Sequence, residues 1–169
     1  MIPFNDAGEW DAPRYFKWLL DRNRLAVSHG FDFGLVSGLQ GLEDMLHVAQ
    51  DAVAFFAVSD ISDGFMSIGP SAKSRRIKTV FLAMRHAEGD MRARGKCMDI
   101  MRELFRQMMT VLSRDRRILM RQNVFIDERI QFSEIDQYFF TGCACAYFQI
   151  ALDSNTHMCI CENEWTAAP

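Results

Sequence analysis

The stretch 88–113, EGDMRARGKCMDIMRELFRQMMTVLS, constrains the fold more than any other part of the 169-residue chain. Apolar residues recur at Cys97, Met101, Leu104, Phe105, Met108 and Leu112, the three-and-four spacing of one helix face. Arg92, Lys96, Asp99, Arg102, Glu103 and Arg106 fall mostly on the other side. The spacing predicts an amphipathic helix about 40 Å long. Glu88 and Asp90 lie at its start, and Arg114, Arg116 and Arg117 just beyond its end, a charge order that suits the helix dipole. One helix cannot bury its own stripe. The strand-like segments on either side must supply the surface it covers.

Residues 10–27 predict a first helix, with Pro13 in its first turn and Gly30 as its stop. The glycine-punctuated FDFGLVSGLQG reads as a loop or an irregular strand, and Leu39, Leu42, Leu46 and Ala49 as a short second helix. AVAFFAVS at 52–59 suits a well-buried strand, and 65–68 can pair back as a short one. The small, polar, basic run 69–76 is the expected flexible segment. IKTVFLAMR at 77–85 is the strongest strand before the long helix. After it, strands are expected at 118–126, 129–135 and 138–152, with Gly142 as a bulge or bend. A turn at 153–156, a return strand at 157–161 and a tail anchored by Trp165 complete the chain. The order predicts a single α+β domain. Its sheet is antiparallel, or mixed, with four to six strands; the long helix packs on one face and a shorter helix precedes it.

Net charge −3 gives no support for direct nucleic-acid binding, which normally brings an excess of basic residues. No apolar run approaches the ~18 residues of a membrane span. The start MIPFNDAGEWD lacks a basic region followed by an apolar one, so no secretory signal is expected. With five cysteines, an odd number, the thiols are expected reduced and the compartment cytoplasmic.

The pairs Cys143/Cys145 and Cys159/Cys161 invite a zinc site, but structural zinc motifs use wider spacing. Strand alternation adds an objection. With regular pairing across the turn at 153–156, Cys159 and Cys161 share a face with Phe148 and Ile150, while Cys143 and Cys145 point away. Buried thiols packing as small hydrophobes are the expectation, with no metal and no cofactor. His29, His47, His86 and His157 show no ligand spacing. A nucleophile assembled from Cys97 or Cys159 with His86 or His157 has no support beyond chance pairing. Gly30, Gly34, Gly38 and Gly41 do not form a phosphate loop. Asp60, Asp63, Glu88 and Asp90 read as solvated turn residues. Two basic runs stand out in this net acidic chain: Lys73, Arg75, Arg76 and Lys78, then Arg114, Arg116, Arg117 and Arg121. They read as solubilising charge or as a docking surface for an acidic neighbour or a second copy, with Lys73, Arg75, Arg76, Lys78, Arg114, Arg116 and Arg117 the candidate contacts.

This order of elements resembles the small tail-terminator or tail-completion proteins of bacteriophages and prophages. The likeness rests on the N-terminal helix, the strand pair with its basic loop, and IKTVFLAMR leading into MRARGKCMDIMRELFRQM. It continues through SEID to FFTGCACAYFQI. The resemblance implies a non-catalytic structural protein that forms rings with itself and contacts other tail proteins, located in the host cytoplasm and the virion tail. A small cytoplasmic enzyme with dispersed pocket residues, or a binding or adaptor module, is the alternative.

Overall fold

A computed structural model describes residues 2, 10–49, 51–69, 71–135 and 142–156. Among them are seven strands in one mixed sheet and four helices, an α+β fold. The sheet thus exceeds the four to six strands expected, with the glycine-rich segment after the first helix, read as a loop or an irregular strand, forming one of the seven. The return strand at 157–161 and the Trp165 tail lie outside the described residues.

β1 (Phe31–Val36) runs parallel to β2 (Ala54–Ser59), in register from Phe31 opposite Ala54 to Val36 opposite Ser59. All the other pairings are antiparallel. β4 (Lys73–Arg85) and β7 (Cys143–Asn155) form the spine, paired without a bulge from Lys73 opposite Asn155 to Arg85 opposite Cys143. β3 (Asp63–Met66) continues along β4 past the end of β2. β5 (Phe125–Ile126) and β6 (Phe132–Ile135) line the far side of β7. Two expectations change here. Residues 73–76, expected in a flexible loop, belong to the spine, and 74–76 are paired on both sides. Residues 153–155, expected in a turn, still belong to β7. Gly142, at φ +74°, precedes β7 as a turn residue and is not a bulge within it.

Alternation along the spine divides the core in two. Phe56, Val58, Val80, Leu82, Met84, Ala146, Phe148 and Ile150 face α1 (Ala12–Leu20) and α4 (Met91–Arg121). Phe55, Ala57, Phe81, Ala83, Cys143 and Cys145 face the other way, against Leu42 and Leu46 of α3 (Leu39–Val48). Cys143 and Cys145 therefore point away from Phe148 and Ile150, as alternation predicts; Cys159 and Cys161 lie outside the described residues. Arg85 secures the C-terminal end of α3 by donating to the carbonyls of Leu46, Ala49 and Ala52, with its guanidinium over the Phe55 ring.

The first helix divides at residues 21–23. Asp11 caps α1 through Arg14 N–H, and Asn23 caps the short α2 (Arg24–Ser28) through Ala26 N–H. α4 begins slightly later than expected, after its cap Asp90, whose carboxylate accepts from Ala93 N–H; Glu88 precedes the helix. It also runs about two turns past Ser113, so 118–121 are helix and only Phe125–Ile126 of that expected strand pairs. The buried face of the helix continues through Asp115. Its charge breaks the apolar stripe in sequence, yet it is buried on the same face as Leu112 and Leu119. There it accepts from Tyr15 Oη at 3.2 Å and Arg114 Nε at 2.8 Å.

Candidate functional site

The two basic runs lie toward the same end of the sheet. Asn123, just past α4, exchanges two hydrogen bonds with the Asn155 backbone, the residue paired with Lys73. Arg76 and Gln122 line the same cleft of about 230 Å³, together with Trp10 and Ser154. The charges themselves are used unequally. Arg75 forms ion pairs with Asp127 and, at 3.7 Å, Asp153, tying β4 to β7 and the β5 turn. Lys78 donates to the carbonyls of Ser59, Asp60 and Ile61 at 2.7–3.0 Å, holding the chain where it passes from β2 to β3. Burial lowers the Lys78 pKa. Arg114 is bound to the buried Asp115, and Arg116 to Glu128 at 3.1 Å. Most of these side chains are thus committed inside the chain. Lys73 and Arg117 are solvent-exposed; Arg76 and Arg114 are exposed as well, but neither is free, and Arg114 holds Asp115.

What the basic residues frame is apolar. Ile61, Phe65, Met66 and Ile68 are 57%, 60%, 54% and 85% exposed, a concentration that sequence reading missed. They ride on and beside β3, whose four residues are all exposed and whose outer edge carries no strand among the described residues. Gly64 lets this strand approach β4: a Cβ there would stand 1.9 Å from the Arg75 carbonyl oxygen. The turn is closed by Ser67, whose hydroxyl accepts from Lys73 N–H at 2.8 Å and whose own N–H donates to the Lys73 carbonyl. The signal that could have revealed it was DGFMSI itself, apolar residues beside an exposed turn with no polar partner face.

On the opposite edge of the sheet, α4 and the segment 124–130 enclose two clefts of about 330 Å³ each, which share Ser113, Arg116 and Ile126. They form one groove with an apolar floor and a charged rim.

The candidate nucleophile Cys97 sits on the buried face of α4, its thiol donating to the Arg85 carbonyl at 3.7 Å. Burial raises the pKa of Cys97, Cys143 and Cys145 alike, which keeps these thiols protonated and poor nucleophiles. His86 contacts the Ala87 carbonyl through Nδ1. His157 and Cys159 lie outside the described residues. No helix of the described residues is long and apolar enough to cross a membrane. The sequence matches no family model and no curated protein.

Proposed function

We propose that this chain is a structural assembly protein of a phage or prophage tail, of the terminator or completion type. In this reading it forms a ring with copies of itself, contacts other tail proteins and carries no catalytic site. The observation that carries it is the β3 hairpin, a strand edge unpaired among the described residues, with four exposed apolar side chains fixed to a rigid spine. Such an edge is an aggregation hazard unless another chain covers it. The groups whose pKa values are shifted by burial, Tyr15, Lys78 and the three thiols, serve packing and internal hydrogen bonds and do not line the clefts. That distribution favours a scaffold over an enzyme.

Deleting 71–76 would remove spine residues, so a point variant is the better probe. Phe65→Glu, on an exposed site, should keep the thermal midpoint of the parent. In the native host, the tagged parent chain should purify with tail particles and the variant should not. Absence of the parent chain from such particles, or turnover of a small substrate dependent on Cys97 or His86, would overturn the role.

A further inference from the structure

We propose that the β3 hairpin of one copy docks in the groove between α4 and the 124–130 segment of the next copy. The inference rests on the assembly role above and names the contact that would carry it. Within one chain the two surfaces cannot meet. Phe65, Arg75, Asp153 and Phe125 lie side by side across β3, β4, β7 and β5, so the hairpin and the groove occupy opposite edges. Three strand spacings, about 14 Å, separate them. Each is incomplete alone. The hairpin offers Ile61, Phe65, Met66 and Ile68 to solvent; the groove offers Met120 and Phe125, 54% and 39% exposed, over a floor that includes Ile126.

The charges match as well. Among the described residues, Asp63 on the hairpin and Arg117 on the groove rim form no ion pair, and both are exposed. At the hairpin base Lys73 is exposed, and on the rim Glu128 is 79% exposed even while it holds Arg116. Each side therefore presents an acid and a base to the other's base and acid. The occupant that fits this apolar, two-sign groove is a second copy of the same chain. Because the two surfaces differ, the contact is heterologous and repeats head to tail, the geometry that closes rings.

The test replaces Phe65 with photoreactive p-benzoylphenylalanine in the full chain. Labelled and unlabelled protein are mixed at high concentration and irradiated. Mass spectrometry of mixed-isotope peptides should place cross-links between chains, within residues 109–130. The same replacement at Leu35, exposed on β1 at the far edge, should give none there. Asp63→Arg or Arg117→Asp alone should lower the cross-link yield severalfold, and the two together should restore it. Absence of inter-chain cross-links to 109–130, or yields indifferent to both charge reversals, would overturn the docking. Tail particles that contain the chain but cross-link from position 65 elsewhere would also overturn it, while leaving the assembly role standing.

Discussion

Asp115 shows how one buried charge can hold a fold together. A carboxylate in an apolar helical stripe ordinarily marks a helix end, and here it is 2% exposed with both oxygens accepting hydrogen bonds. Its donor Tyr15 is fully buried, and burial first, then the Asp115 charge, drives the phenol pKa upward. Tyr15→Phe removes one donor and leaves a buried carboxylate oxygen unsatisfied, so it should cost about 1–3 kcal/mol in chemical denaturation. A change under a few tenths would show that water replaces the phenol. Glu103 is the opposite case, a half-exposed group tuned by its neighbours. Hydrogen bonds from Arg106 and Gln107 lower its pKa from 4.5 to about 2. A depressed carboxylate stabilises the fold above its unfolded pKa and loses that contribution as pH falls toward 2. Carbon-detected NMR titration should find Glu103 titrating well below its ordinary value of 4.5, reverting upward in Arg106→Ala.

At the scale of elements, α4 is both the most legible piece and the one whose length the sequence understates. Its inward face is Cys97, Met98, Met101, Leu104, Met108, Leu112 and Leu119, packed across β4 and β7. Leu104→Ala deletes a fully buried side chain and should cost about 2–5 kcal/mol. Arg102→Ala breaks exposed pairs with Asp99 and Glu134 and should stay within about 1 kcal/mol. Similar urea midpoints for the two variants would put the wrong face of the helix inward. The β4 strand extends further than its apolar stretch suggests, because Arg75 and Arg76 gain ladder partners on both flanks. A basic run looks like a loop when its cross-strand carboxylate, Asp153, lies far along the chain.

For the whole molecule, β2, β4 and β7 contribute to both cores. Neither core can melt without stripping a face from the shared sheet. Calorimetry should therefore give one unfolding transition, with van't Hoff and calorimetric enthalpies equal. Two resolved transitions would mean that α3 and its face unfold independently. The second face departs furthest from the sequence reading. Periodicity points to a sheet with one long helix across it, whereas α3 and its parallel β1–α3–β2 connection give part of the sheet a third layer.

By itself, the sequence determined what depends on local period and on alternation. These are the α4 stripe, the apolar strands at β2 and β4, Pro13 in the first turn of α1, and the facing of Cys143 and Cys145 away from Phe148 and Ile150 along β7. Each is written in residues a few positions apart, so no distant contact is needed to read it. Tertiary structure alone decided the rest. Whether Lys78 is free or spent, and whether Asp115 ends a helix or is buried within it, depends on partners from 17 to 100 residues away. The hairpin and the groove likewise became surfaces only when the sheet set them on opposite edges, leaving each apolar patch without a cover among the described residues of its own chain.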